Sequence, residues 1–211
     1  MSWENYVPRE ISELYEVHDY RHAAAILAHE FPVEFGELCS ALGQFRFTCE
    51  DIMKAGGNES EIPKIYSRIL RPMGWVEDQL VAKQVVDDVE VSINTHKVDY
   101  LKGRVAFDLE WNSKDQTYDR DLYAFKAFFD YNRISVGVLV TRSNELDPLF
   151  ASLGTYKDRY GTVREYKAKY GASTTHMGKL LPRLHAGRNG GCPVLVFGIT
   201  PKLLVVDERE N

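Results

Sequence analysis

Three carboxylates lie close together in the stretch 98-VDYLKGRVAFDLEWNSKD-115. Asp99 comes before a Lys-Gly-Arg turn, and Asp108 and Glu110 follow it within an otherwise apolar run. Acids are depleted in strands, and an unpaired buried carboxylate is costly. Because alternate strand residues share a face, Asp108 and Glu110 point the same way, and Asp99 can face them across the hairpin. The spacing therefore predicts three carboxylates that converge.

Converging carboxylates suit a divalent cation, because without one they repel each other and raise each other's pKa. Mg²⁺ prefers oxygen ligands, typically one or two carboxylates together with water and substrate phosphate. Asp99 and Asp108 are the natural metal ligands, and the Leu109 backbone carbonyl can add another. Glu110 is the natural group to orient or deprotonate the attacking water. The cluster predicts Mg²⁺-assisted phosphodiester hydrolysis, with Asp99, Asp108 and Glu110 as the catalytic residues.

The same acids have a structural alternative, since solvated carboxylates on an edge hairpin protect a protein from aggregation. Acids are about one residue in seven here, so this spacing also arises by chance. The apolar context favours the catalytic interpretation, because it places the hairpin against a core. The residues concerned are Val98, Tyr100, Val105, Phe107, Leu109 and Trp111.

The elements that position the hairpin follow from hydrophobic periodicity. Helices are predicted at residues 9–30, with a possible break near His18, and at 33–43, 60–70, 119–131 and 174–186. Strands are predicted at 85–93, 98–101, 105–111, 134–141 and 194–199, with a short run at 203–206. Residues 56–58 are predicted to form a loop, and 142–172 a long surface excursion with a helix at 163–170. A helix followed by the wholly apolar strand 134–141 indicates a crossover unit and α/β layering.

Length and composition favour one domain over residues 1–211, mainly helical over 1–80 and with a catalytic α/β core over 85–206. No run of 18 apolar residues predicts a membrane helix, and the start MSWENYVPREISE does not resemble a secretory signal. Three cysteines without a C-x-x-C pair fit a reduced, cytoplasmic setting and do not suggest zinc.

The charge is unevenly distributed along the chain, which has a net charge of −5. Residues 156–188 hold eight Lys or Arg against two acids. A local basic face on an acidic protein can dock a polyanion at one place. The alternative is a solvated helical surface.

The hairpin, the helix after it and the next strand together resemble the PD-(D/E)xK nuclease core. They resemble more closely the type II restriction endonucleases of the BglII/BstYI group, which are related to BamHI. The likeness runs through 98–115, 119–131, 134-ISVGVLVT-141 and 173-STTHMGKLLPRLHAGRNGGCPVLVFGITP-201, with a weaker match in 62-IPKIYSRILRPMGWVE-77. The resemblance implies an α/β restriction-endonuclease-like core, with a mixed central sheet flanked by helices.

The resemblance also implies residue roles. It implies that Asp99 and Asp108 bind Mg²⁺, and that Glu110 takes the place held by Lys in most PD-(D/E)xK enzymes and by Gln or Glu in this group. Two positions depart from the family pattern. Asp108 stands where the second acid is usually Glu, and Val98 stands where Pro usually precedes the first acid.

The resemblance further suggests that two polar segments approach the DNA major groove. They are Asn112, Ser113 and Lys114 after the second strand, and Ser173, Thr174 and Thr175 before the late helix. Asn can read adenine, Lys can reach guanine, and hydroxyl groups serve either role. The alternative for both segments is a helix-capping turn. By the same analogy, the helices at 119–131 and 174–187 form the face of a homodimer.

The function predicted is that of a type II restriction endonuclease, which cleaves double-stranded DNA with Mg²⁺ at a short palindromic site. A symmetric dimer fits a palindrome, since protein symmetry then mirrors DNA symmetry. Two alternatives remain open. The first is a repair or mobile-element nuclease on the same core, and the second is a non-enzymatic DNA-binding module.

Overall fold

A computed structural model of the chain describes residues 2–54, 60–158 and 160–205, apart from the side chains of residues 84, 93 and 94. Its strands are β1 Tyr15–Tyr20, β2 Val76–Val86, β3 Val89–Lys102, β4 Val105–Glu110, β5 Val136–Arg142, β6 Thr155–Lys157, β7 Val163–Glu165 and β8 Val194–Ile199. Its helices are α1 Arg9–Ser12, α2 Ala23–Glu30, α3 Pro32–Gln44, α4 Cys49–Met53, α5 Glu61–Leu70, α6 Thr117–Asp130, α7 Asp147–Ser152, α8 Tyr166–Lys169 and α9 Met177–His185.

Six strands form one mixed sheet in the order β1-β8-β5-β4-β3-β2. The central strands β4, β5 and β8 run parallel to their neighbours in that trio, whereas β3 pairs antiparallel with β4 and β1 pairs antiparallel with β8. Helices cover both faces of this sheet. The predicted mixed central sheet flanked by helices is confirmed.

The two faces of the sheet hold separate apolar cores. Helices α1, α2, α3 and α5 pack on one face against strand residues such as Phe107, Val138 and Phe197. Helices α6 and α9 pack on the other face against Ala106 and Leu139. Alternation along β4 therefore directs Phe107 and Leu109 to the first face and Asp108 and Glu110 towards α6.

The crossover unit β4–α6–β5 positions the hairpin next to a helix. All seven residues of β5 are buried, as the apolar run 134–141 predicts. A Cβ atom at Gly137 would lie 2.7 Å from the Phe125 ring, so glycine there allows α6 to approach the sheet closely. The turn before β4 has Gly103 at φ 54, a positive value suited to a two-residue hairpin turn.

The predicted helix at 9–30 is wrong in its middle. A strand, β1, occupies Tyr15–Tyr20 and pairs with β8 from Tyr15↔Ile199 to Tyr20↔Val194. Arg21 and His22 then adopt φ 57 and φ 60, which separates the strand from α2. Tertiary pairing with a buried strand decides this segment over its helical periodicity. The first 80 residues thus include α1–α5 and also β1 and the start of β2.

Strands β2 and β3 form a long hairpin at one edge of the sheet, where separate strands were expected at 85–93 and 98–101. Asp87 and Asp88 make the turn at φ 49 and φ 63, the conformation of a type I′ turn. Near its Asp87–Asp88 turn, most of the hairpin's described residues are exposed to solvent. Among its described residues, the exposed large apolar ones are Val76, Val81, Val85, Val86, Val89 and Val91.

The remaining differences lie near the C-terminal half. The stretch 142–172 contains α7, a small β6–β7 hairpin and α8, which is shorter than the helix expected at 163–170. The late helix begins at Met177 rather than 174, and the run after β8 forms a 3-10 turn at Pro201–Leu203. The predicted loop at 56–58 lies outside the described residues. No described helix is long and apolar enough to span a membrane.

Candidate active site

At the acids, strands β3 and β4 are linked by hydrogen bonds from backbone N–H groups to the carboxylates of Asp99 and Asp108. Their backbone register ends at Tyr100↔Phe107. One residue further, the Asp99 N–H donates to Asp108 Oδ1 at 2.7 Å, and the Leu109 N–H donates to Asp99 Oδ2 at 3.1 Å. Each carboxylate thus accepts an N–H from the opposite strand. The crossed bonds fix Asp99 and Asp108 beside each other.

The three acids differ in their access to water. Asp99 is exposed at the mouth of a cleft, whereas Asp108 is 3% and Glu110 8% exposed. Asp108 Oδ2 and Glu110 Oε2 are buried and accept no hydrogen bond from any described residue. Buried polar atoms almost always have a partner, so these two oxygens need an explanation.

Burial and mutual repulsion both favour the neutral form of the acids. Burial raises the pKa of Asp108 well above its ordinary value, and the charge of Asp99 raises it further. Burial also raises the pKa of Glu110 to about 7. Although Asp99 is partly solvated, the cleft walls exclude enough water to raise its pKa, against the lowering effect of the Leu109 N–H. The cluster therefore holds more protons than isolated carboxyls would.

A fourth carboxyl, Asp121 on α6, lies in the same cluster, and the sequence analysis did not identify it. It is 3% exposed, and burial followed by the charges of Asp108 and Glu110 raises its pKa to about 10. The signal was present, since Asp121 is an acid on the apolar stripe that includes Tyr118 and Phe125. The neighbouring Arg120 lowers the pKa of all four acids.

The acids open into a cleft of about 470 Å³ between the hairpin and the helical layer. Asp99, Leu109 and Glu110 line its floor, together with Glu77, which further raises the pKa of Asp99. Four basic residues also line the cleft: Lys54, Lys64, Arg71 and Lys169. Carboxylates below basic walls suit a phosphate-bearing substrate that is held by cations and approached by the acids.

The donor set fits a hard divalent cation. Within the described residues no group of three or more His, Cys, Asp or Glu side chains forms a ready-made metal cluster. Mg²⁺ does not require one, because it commonly takes one or two protein carboxylates and completes its shell with water and phosphate. Asp108 Oδ2, buried beside Asp99 and without a donor, is the kind of oxygen that such a cation satisfies.

The two segments expected to read DNA are brought together. Lys114 and Thr174 form an antiparallel bridge, the Thr175 N–H donates to the Ser113 carbonyl at 2.9 Å, and the Asp115 N–H donates to the Ser173 carbonyl at 3.0 Å. Ser113, Lys114 and Ser173 are exposed, and Asn112 is half-buried at the cleft.

The two threonines of the second segment face inward. Thr175 is fully buried, and its hydroxyl has no partner among the described residues. The Thr174 hydroxyl donates to the Gly171 carbonyl at 2.6 Å and accepts from Arg142. In this conformation neither hydroxyl points to solvent, because Arg142 draws the segment onto β5.

Part of the basic segment is used inside the protein. Arg183 and Arg188 pair with Asp119 at the start of α6, and Lys179 lies 3.9 Å from Asp115. Lys169 donates to the Lys54 carbonyl at 2.7 Å. Fewer cations remain for a polyanion than the charge count suggests.

Comparison with known proteins identifies the family. The model of the family described as restriction endonuclease BglII/BglIII matches residues 15–199, which include the whole six-stranded sheet and the acidic hairpin. No match is found among curated proteins. The match favours restriction over the two alternatives, a repair or mobile-element nuclease and a non-enzymatic module. Enzymes of this family are site-specific deoxyribonucleases that act on double-stranded DNA, and the chain belongs to the BglII/BglIII family of type II restriction endonucleases.

Proposed function

We propose that the acidic hairpin is the catalytic centre and that it hydrolyses DNA phosphodiester bonds with Mg²⁺. The observation that carries this proposal is the crossed pair Asp99 and Asp108, with the buried Asp108 Oδ2 left without a donor. Asp99 and Asp108 would hold the ion, and the Leu109 carbonyl would add a ligand. When bound, Mg²⁺ neutralises charge on the phosphate and lowers the pKa of a water molecule.

The chain's own residues perform the remaining steps. Glu110 opens into the cleft beside Asp99, and its pKa of about 7 places it near the pH at which a general base is most effective. It would orient the attacking water and take its proton on the carboxylate. Lys54, Lys64 and Arg71 in the cleft wall would bind neighbouring phosphates.

We further propose that the enzyme reads a short palindromic site as a homodimer. Asn112, Ser113, Lys114 and Ser173 are the base-reading candidates, since their segments are joined and adjoin the cleft. Thr174 and Thr175 would support that surface from beneath. The dimer would use α6 and α9, as the resemblance suggests.

The test is digestion of a plasmid of known sequence by the parent and by three variants, Asp99→Ala, Asp108→Ala and Glu110→Ala. We expect discrete fragments from the parent with Mg²⁺, none with a chelator, and rates at least about 100-fold lower from each variant. Glu90→Ala is the matched control, because Glu90 lies on β3 but is exposed and paired with Lys83. The proposal fails if all three variants cut like the parent.

A further inference from the structure

The four basic side chains that line the cleft differ in their contacts. Lys54 lies within 3.8 Å of two acids of helix α4, so its charge is shared with them. Lys169 donates to the Lys54 carbonyl at 2.7 Å. Lys64 is exposed, and no hydrogen bond or ion pair with a described residue fixes its position. Arg71 differs from all three, because it is held in place and yet no acid in the described part of the chain pairs with it.

Two contacts hold the Arg71 guanidinium. Its Nε–H donates to Ser67 Oγ at 3.0 Å, and its Cζ lies over the Tyr100 ring, 5.4 Å from the ring centre. Both contacts leave the terminal nitrogens unused, since neither of them has a hydrogen-bond partner among the described residues. The planar guanidinium is therefore fixed in the cleft with its two terminal N–H groups available to an anion.

The turn that carries Arg71 is anchored to the acidic hairpin. Lys102, the last residue of β3, donates from Nζ to the Met73 carbonyl at 2.8 Å and to both carboxylate oxygens of Glu37, at 2.6 Å and 2.8 Å. The indole N–H of Trp75, which is fully buried, donates to the same carboxylate at 2.8 Å. Because β3 also carries the first acid, the arginine and that acid belong to one fixed frame.

We propose that Arg71 is a catalytic residue that binds the nonbridging oxygens of the phosphate being hydrolysed. The role rests on the proposed function, in which the hairpin acids cleave DNA, and it leaves Lys54 and Lys64 to bind the neighbouring phosphates. Arg71 lines the same cleft as Asp99, and the ring that it covers belongs to Tyr100, the next residue along β3. A phosphate held at the acids would therefore meet the guanidinium.

The chemistry of phosphate hydrolysis explains why an arginine suits this position. A guanidinium donates two parallel N–H groups, which match two oxygens of one phosphate. In phosphoryl transfer the negative charge of the transition state is spread over the nonbridging oxygens. A donor that is fixed before the reaction stabilises this charge without having to reorganise. Loss of Arg71 should therefore lower kcat, whereas loss of a cation that only binds DNA should raise KM.

The test compares Arg71→Ala and Arg71→Lys with the parent on a duplex that contains the cleavage site, as mapped by plasmid digestion. We expect kcat of Arg71→Ala to fall about 100-fold, as for removal of one transition-state donor. Arg71→Lys keeps the charge but loses the two parallel donors, so its kcat should fall about 10-fold. KM for DNA should stay within about 3-fold of the parent in both variants.

Two controls separate this role from a general effect of charge or folding. Arg9→Ala is the matched control, because Arg9 is an exposed arginine that pairs with Glu13 at 2.7 Å and does not line the cleft. It should change neither kcat nor KM. Since Arg71 is exposed, the urea midpoint of Arg71→Ala should stay close to that of the parent.

A parent-like kcat in Arg71→Ala would overturn the inference, and a raised KM in that variant would then assign Arg71 to a neighbouring phosphate. If Arg71→Ala does not fold, Arg71→Lys decides, because a parent-like kcat in that variant contradicts the need for two parallel donors. A parent that cuts no DNA with Mg²⁺ would instead refute the proposed function, so the two failures are distinguishable.

Discussion

At the scale of single residues, the candidate site is held in a state that the fold alone does not favour. Asp108, Glu110 and Asp121 are buried together, and each has an oxygen without a hydrogen-bond donor among the described residues. Proteins tolerate such groups where function requires them, and strongly perturbed carboxyls in a cleft are typical of catalytic sites. The crossed hydrogen bonds between Asp99 and Asp108 offset only part of the free-energy cost of burying these carboxyl groups.

The raised pKa of Glu110 predicts a pH dependence of stability in metal-free protein. Between the ordinary value of 4.5 and the folded value of about 7, the folded form keeps a proton that the unfolded form has released. A rise in pH through this window therefore lowers the free energy of unfolding, by roughly 3 kcal/mol for this group. Urea unfolding at several pH values, with a chelator present, measures the change.

The variant Glu110→Gln isolates this effect, because glutamine does not titrate. We expect the parent to lose stability relative to Glu110→Gln as the pH rises from 4.5 to 7. The exposed acid Glu90 is the matched control, and Glu90→Gln should follow the parent across the same range. Parallel curves for the parent and Glu110→Gln would contradict the raised pKa.

At the scale of elements, sequence patterns identified the helices, strands and turns whose conformation is set by residues close together in the chain. The apolar runs of β5 and β8, the hairpin turn at Gly103 and helix α6 were all predicted from nearby residues. Strand β1 was not, because its pairing with β8 joins residues that are far apart in the chain, as in Tyr15↔Ile199. Local periodicity cannot report such a partner.

The residues of the candidate site also fall into those that local patterns predict and those that only tertiary packing places there. The three hairpin acids could be found because strand alternation brings them together. Asp121 was missed because it reaches the site only through the packing of α6 on the sheet. The inward orientation of Thr174 and Thr175 was missed because it depends on Arg142, a residue of β5 whose guanidinium lies beneath their segment.

Arg142 predicts how the two polar segments are kept in register. It is 1% exposed, and it donates to the Thr175 carbonyl at 2.6 Å and to the Tyr170 carbonyl at 3.2 Å. Arg142→Leu leaves both buried carbonyls without this donor, at about 1–3 kcal/mol each. We expect the amide protons of Asp115 and Thr175, which bond across the two segments, to exchange at least about 10-fold faster, as measured by hydrogen exchange.

The exposed residue Arg133 provides the comparison for this substitution. Arg133→Leu removes a surface pair with Asp78 and should leave the exchange of both amides unchanged. Amides of the central strand β8 should be protected alike in both variants. Equal protection of Asp115 and Thr175 in Arg142→Leu and the parent would show that another contact holds the segments.

At the scale of the whole molecule, the sheet separates two surfaces with different tasks. The helical layer of α4 and α5 closes the cleft over the acids, whereas α6 and α9 cover the opposite face. Helix α6 therefore contacts the acids from within and presents its outer side to solvent, where Tyr123 is 49% and Tyr131 42% exposed.

The proposed dimer predicts that a charge at Tyr123 separates the two protomers. In a two-fold symmetric interface each substitution is present twice, so Tyr123→Glu should raise the dimer dissociation constant at least about 100-fold. Sedimentation of the parent and the variant measures it. Val33→Glu is the matched control, because Val33 is 65% exposed on α3, on the opposite face of the sheet, and should leave the constant unchanged.

Since a palindrome requires both protomers, Tyr123→Glu should also lose double-strand cleavage at low protein concentration and regain it as the concentration rises. Cleavage by Tyr123→Glu that matches the parent at every concentration would place the interface elsewhere.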